Sequence, residues 1–186
     1  MDHHLTWSAQ INSVCRKVYN ALHYLSTLRY FTPQHVRLRL ARSQLVPLFD
    51  YGDILFGLVS QKNLRKLNLV YNAVTRYVYN LKKYDHISSY ETFLLGRTFV
   101  NHLKTRICNQ TFKILNNPPK YLANFFTYAR STRAPLLIVP RCRSNYLKNS
   151  FRQRAIKIWN ELPAHCRQKG NYHSFKTCID TLFKWI

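Results

Sequence analysis

The stretch from Ser60 to Lys83, SQKNLRKLNLVYNAVTRYVYNLKK, decides how the chain is read. Leu64, Leu67, Tyr71, Val74 and Val78 recur at steps of three and four, the spacing of one helical face, and Ser60 stands where an N-cap belongs. At about 100° per residue, Arg65, Asn72, Arg76 and Lys83 fall within about 20° of a common line on the opposite side. One face is suited to packing and the other to anions.

The same period continues in both directions. Upstream, Trp7, Ile11, Val14, Val18, Leu22, Leu25 and Leu28 predict a helix of about six turns with one buried stripe. Thr32-Pro33 reads as an N-cap followed by proline at the first helical position, opening a helix with Val36, Leu40 and Leu45 that Pro47 ends or kinks. The segment Leu48 to Val59 is apolar nearly throughout and should be buried. Downstream, Ser88 to Glu91 fits a capping box for a short helix that Gly96 closes, and Thr98 can cap another with Leu103, Ile107, Ile114 and Leu115 inward. Asn116-Asn117-Pro118-Pro119 is the strongest break. It separates a helical region 1–117 from a smaller carboxyl-terminal helical region 118–186. Within the latter, Tyr121 to Phe126 reads as one or two helical turns and residues 131–149 as an irregular linker, extended at Leu136 to Val139. Ser150 then caps a helix that buries Phe151, Ala155, Ile158 and Trp159 and turns Arg154 and Lys157 away, and Leu162-Pro163 stops it. Ser174 starts the last helix, with Phe175, Ile179, Leu182, Phe183 and Trp185 inward. The expected class is mainly α, with six to seven helices and no βαβ alternation.

The 186 residues carry 29 Lys plus Arg against 7 Asp plus Glu, a formal charge of +22. Mutual repulsion among so many cations is relieved by phosphates, so nucleic acid leads as partner and an anionic membrane surface follows. The basic groups are Arg37/Arg39/Arg42, Lys62/Arg65/Lys66/Arg76, Lys82/Lys83, Arg141/Arg143/Lys148 and Arg152/Arg154/Lys157, interleaved with Tyr77, Tyr79, Tyr84 and Tyr146. A charge run is ordinarily a solvated face, but here few carboxylates balance the sum. The binding candidates are Lys62, Arg65, Lys66, Arg76, Lys82, Lys83, Arg141, Arg143, Arg154 and Lys157. No apolar run approaches the roughly 20 residues that span a bilayer, and no helix combines a long apolar face with a uniformly basic one, so no membrane partner is expected. An amino-terminal signal peptide is likewise not seen. Five cysteines, odd in number and spread along the chain, suit free thiols in a reducing compartment better than a disulfide framework. The expected location is intracellular, nuclear or cytoplasmic.

Catalytic and cofactor readings fare poorly. Asp50-Tyr51-Gly52-Asp53 superficially suggests a polymerase aspartate turn, but neither a third carboxylate nor a strand pair accompanies it to hold two metals; it reads as a structural loop. His165-Cys166, His173 and Cys178 are competent zinc donors without the CxxC pairs that bring two thiolates to one ion. Neither a GxxxxGK[ST] nor a GxGxxG loop is present. We expect no catalytic residue, metal, cofactor or small-molecule substrate.

Several segments are recognisable as a set. Asp2-His3-His4-Leu5-Thr6-Trp7 with Ile11 and Lys17 resembles the segment that follows the catalytic palm in reverse transcriptases of LINE-type, jockey-like non-LTR retrotransposons. Leu45-Val46-Pro47-Leu48-Phe49-Asp50-Tyr51-Gly52 and Leu64-Arg65-Lys66-Leu67 through Asn72-Ala73-Val74-Thr75-Arg76 are similar to the next two motifs of that family, except that Tyr71 replaces its glutamine. Ser150-Phe151, Ala155, Trp159-Asn160-Glu161-Leu162-Pro163 and Phe175-Lys176 resemble its carboxyl-terminal signature. The resemblance implies a thumb-like helical bundle plus carboxyl-terminal region of an RNA-directed DNA polymerase. The fingers and palm, with the YADD aspartates, would lie upstream, so none of the family's catalytic residues has a matching position here. The implied function is non-catalytic binding of RNA or RNA–DNA duplex, or of DNA, through phosphates. Alternatives are part of an active reverse transcriptase whose palm is encoded upstream, and a host-adopted protein-interaction module. Tyr24, Tyr30 and Phe31 are candidates for a surface that would face the missing palm.

Overall fold

The computed structural model describes residues 7–53, 61–90, 92, 94–130 and 136–184. The chain is mainly α. Among the described residues, helices of five residues or more are α1 (Ser8–Thr27), α2 (Gln34–Leu40), α3 (Val46–Asp50), α4 (Gln61–Tyr79), α5 (Phe99–Asn116), α7 (Phe151–Glu161) and α9 (Tyr172–Leu182), with four-residue turns α6 (Asn145–Lys148) and α8 (Ala164–Arg167) between them. No strand occurs among the described residues, only an isolated antiparallel bridge between Tyr128 and Leu137. The chain divides into two compact units, Met1–Phe99 and Val100–Ile186. The Asn116–Pro119 break ends α5 inside the second unit.

In the first unit α1 packs on α4. Ile11, Val14, Val18 and Leu25 are buried as their spacing predicts, whereas Trp7 and Leu22 are half-buried and Leu28, one residue past the helix, is exposed. On α4, Leu67, Val70, Val74 and Val78 are buried. The expected cap at Thr32 is displaced by one residue. Pro33 occupies the N-cap position with φ −66° and ψ 157°, while the Thr32 hydroxyl donates backwards to the Leu28 carbonyl. Pro47 does not end the helical path either. A π-helical turn, Ala41–Leu45, intervenes, and α3 begins at Val46 with proline in its first turn. The Val46 N–H bonds the Ala41 carbonyl of the π turn, so Pro47 lacks its donor within a continuous helical path rather than at a free helix start. Phe49 is thereby placed against Tyr71 and Phe99, with ring centroids 6.1 and 5.8 Å away. Tyr51 of the apolar segment is exposed, contrary to expectation, and residues 54–60, including the Ser60 cap, lie outside the described residues. The Asp50–Asp53 loop is a turn after α3 that relies on Gly52 at φ +79°. Ser88–Tyr90 is a 3-10 turn; Glu91, the other half of the expected capping box, lies outside the described residues.

The second unit is built around Cys108 and Phe112 of α5, Leu137, Ile156, Trp159 and Leu162 in and after α7, Cys166, and Phe175, Ile179 and Phe183 in and after α9. Phe175 stacks on Phe112 at 4.4 Å and on Trp159 at 5.5 Å. Ser150 caps α7 as expected, accepting from the Gln153 N–H. The last helix starts earlier than Ser174: Asn171 is its cap, accepting from the His173 N–H at 2.9 Å. Leu137 sits in the short extended stretch held by the bridge to Tyr128, with backbone bonds Ala129 N–H to Leu136 O and Ile138 N–H to Thr127 O, each 2.8 Å. The expected free thiols need correction. Cys166 and Cys178 are disulfide-bonded, because α8 and α9 pack together and bring their Cα atoms to 5.9 Å; Cys15, Cys108 and Cys142 are free.

Candidate nucleic-acid interface

In the first unit, α1 and α4 enclose between them a groove of about 410 Å³. Its cations are Arg29, Arg76 and Lys83; Tyr19, Ser26 and Tyr77 add polar edges, and no carboxylate lines it among the described residues. Arg76 comes from the basic face of α4. Lys83 arrives differently from the sequence expectation, which placed it on the same helix. Asn80 adopts a left-handed conformation, φ 57°, and the Leu81 N–H bonds the Arg76 carbonyl at 3.0 Å, so α4 stops at Tyr79 and the chain turns. Short polar side chains such as Asn tolerate this conformation and often end helices in this way. Lys83 thus reaches the groove from the turn, its ammonium 5.5 Å from the Tyr84 ring centroid.

Arg29 was absent from the sequence-derived candidates. One guanidinium nitrogen donates to the Arg76 carbonyl at 3.4 Å, which anchors Arg29 at the carboxyl-terminal end of α4, where the helix dipole favours a cation. The Nε atoms of Arg29 and Arg76 and the Tyr77 hydroxyl are buried without a hydrogen-bond partner among the described residues. A buried donor left unpaired costs about 1–3 kcal/mol, and two guanidinium groups sharing an acid-free groove also repel. An anion with several oxygens would satisfy both conditions. Arg29 lies two residues beyond the end of α1, so helical spacing does not point to it.

The other cations of this unit are divided. Lys62, Arg65, Lys82 and Arg39 are exposed. Lys66 is half-buried and donates to Asn12 of α1 at 3.1 Å. Arg37 is 8% exposed and donates to the Tyr77 carbonyl at 3.2 Å, and Arg42 donates to the Leu94 carbonyl at 2.8 Å, so both tie the fold together.

In the second unit Arg141, Arg143 and Lys157 are exposed. Arg154, expected to turn away, is half-buried, with one terminal nitrogen buried and unpartnered. Burial lowers its pKa. Its helix buries Gln153 and Ile156 as well as Ala155 and Trp159, a wider apolar face than the spacing indicated, and this draws Arg154 inward. Arg152 lies over the Phe125 ring at 5.5 Å. Burial pushes the Cys108 thiol up to about 12, which makes it a poor nucleophile near neutrality.

No family model, no curated protein and no solved structure matches the chain. No helix among the described residues is long and apolar enough to cross a membrane.

Proposed function

We propose that the chain is a non-catalytic thumb and carboxyl-terminal portion of a LINE-type reverse transcriptase that binds RNA or RNA–DNA duplex through phosphate contacts. The observation that carries the binding reading is the acid-free groove in which Arg29, Arg76 and Lys83 converge with unpaired guanidinium nitrogens. Arginine offers phosphate a fixed fork of donors, and backbone contacts of this kind position a duplex without reading its bases. The exposed Lys62, Arg65 and Lys82 extend the positive surface. The polymerase parentage rests on the order of the sequence motifs alone.

A salt titration of binding to a labelled RNA–DNA hybrid tests the proposal. With about six phosphates neutralised, log K should fall against log[salt] with a slope near −5 for duplex. The Arg29→Ala/Arg76→Ala/Lys83→Ala variant should flatten that slope by about 0.9 per lost phosphate contact. A folded wild-type protein with salt-independent or absent binding would overturn the reading.

A second reading is favoured by one observation. Tyr24, Tyr30 and Phe31 are 73%, 95% and 85% exposed around the end of α1. Such a cluster suits a protein partner, which for a polymerase fragment would be the palm and for a host-adopted module some other chain. A complex that persists at high salt distinguishes it from phosphate binding.

A further inference from the structure

We propose that His165, Cys166 and Cys178 form a redox-gated site for one divalent transition metal, with Zn²⁺ the ion its donors suit. The imidazole and the two sulfurs lie within 4.8 Å of one another. They come from adjoining elements, α8 and α9, whose packing sets the distance. In a tetrahedral zinc site, bonds of about 2.3 Å to sulfur and about 2.0 Å to nitrogen put the donor atoms about 3.6–3.8 Å apart. The donor set therefore needs only a local adjustment. Cys166 is fully buried, Cys178 half-buried and His165 exposed, so the site opens to solvent on the imidazole side and leaves a fourth position for water. Two thiolates and a neutral imidazole cancel the charge of the ion. Binding exchanges two thiol protons for one dication and adds no charge to a chain already at +22.

The disulfide is the closed state of this site. Joined to each other, the sulfurs present no thiolate to a metal. Two molecules of a small thiol supply two electrons and two protons, break the Cys166–Cys178 bond and leave as their own disulfide. Each protein thiol then releases its proton to solvent as it forms a bond to the metal. A two-electron oxidant such as peroxide reverses the sequence: the S–S bond forms, the metal departs and the peroxide is reduced to water. The separation of 12 residues between the cysteines hides this pairing from a search for CxxC spacing.

Co²⁺ is the probe, because its spectrum reports thiolate ligation and tetrahedral geometry. The full chain, reduced with dithiothreitol and desalted under nitrogen, should take up one equivalent of Co²⁺ with a near-ultraviolet sulfur-to-cobalt band and strong visible bands. One equivalent of Zn²⁺ should bleach both, and the oxidised protein should show neither. Cys178→Ser, with helicity checked by circular dichroism, should lose the near-ultraviolet band, and Cys142→Ser should keep it. His165→Ala removes an exposed side chain and should weaken Co²⁺ affinity by more than about tenfold. Absence of the spectrum in the fully reduced protein, its persistence in Cys178→Ser, or unchanged affinity in His165→Ala would overturn the proposal.

Discussion

The side chain of Asn160 pairs with both backbone groups of Leu137: its amide nitrogen donates to the Leu137 carbonyl and its amide oxygen accepts the Leu137 N–H, each at 2.9 Å. Asn160 therefore acts as a one-residue strand for the buried Leu137, completing the bonding of a stretch whose other contacts go to residues 127 and 129. Trp159 and Leu162, which flank Asn160 in sequence, are both buried in the core with Leu137, which ties the Trp-Asn-x-Leu-Pro segment to a structural task. Asn160→Ala should cost on the order of 2 kcal/mol, since two buried backbone groups lose their partners. Asn160→Asp keeps an acceptor and loses the donor, so it should fall between. Urea unfolding followed by circular dichroism measures both, and an unchanged midpoint for Asn160→Ala would remove the clamp from the account.

Arg37 and Arg76 should separate stability from binding. Arg37→Gln breaks a buried bond to the Tyr77 carbonyl and should lower unfolding free energy by about 1–3 kcal/mol while leaving the salt slope of hybrid binding unchanged. Arg76→Ala removes one of the three cations that line the groove. It should flatten the slope by about 0.9 with no loss in stability. Paired denaturation and binding measurements on the two variants would show whether the roles have been assigned the wrong way round.

The Cys108 thiol gives a pH signature. Its folded pKa is raised from 9.0 to about 12, largely by burial, so between these values the unfolded chain gives up a proton that the folded chain keeps. The stability it contributes is complete below about pH 9 and falls as pH rises toward about 12, at about 1.4 kcal/mol per pH unit at most. The difference in urea midpoint between wild type and Cys108→Ala should therefore change with pH only above about pH 9. A difference that stays constant to pH 11 would mean the thiol is not sequestered.

Asn80 carries the turn that delivers Lys83. At φ 57°, glycine is at ease and a side chain with a Cβ is strained, so Asn80→Gly should be neutral or mildly stabilising and Asn80→Ala should cost about 1 kcal/mol. Because this turn redirects the chain, Asn80→Ala should also weaken hybrid binding more than Lys82→Ala does. Thermal melts and binding isotherms for the three variants provide the check.

Helix positions and buried stripes were legible because local spacing carries them: Ile11, Val14 and Val18, or Leu67, Val74 and Val78, need only a period of 3.6 to be found. On the side of α4 read as basic, Arg65 is exposed and Asn72 and Arg76 are half-buried. Features set by tertiary packing were not legible. Arg37 looks like any surface cation until α4 ends beside it, and Arg29 gains meaning only when α1 lies along α4. The Cys166–Cys178 bond depends on how α8 meets α9, which spacing does not encode. Helix starts were read to within about three residues where a polar side chain could cap. The choice between Thr32 and Pro33, or Ser174 and Asn171, turned on backbone geometry that composition leaves open. Continuing the α4 face to Lys83 failed because Asn80 ends the helix by its own conformation rather than by a break in the apolar pattern.

The π-helical turn at Ala41–Leu45 works as a phase shifter. It carries one more residue in its turn than an α-helix does, so every side chain beyond it is indexed about 100° around the axis. Phe49 meets Tyr71 and Phe99 with that offset in place. Closing this turn into regular α-helix at unchanged chain length would swing Phe49 about 100° away from both rings, whereas deleting one residue, such as Ser43, would close it with Phe49 still on the same face. The widened turn thus takes up one residue without turning the faces on either side of it, and its exposed Ser43 and Gln44 are the positions where identity matters least.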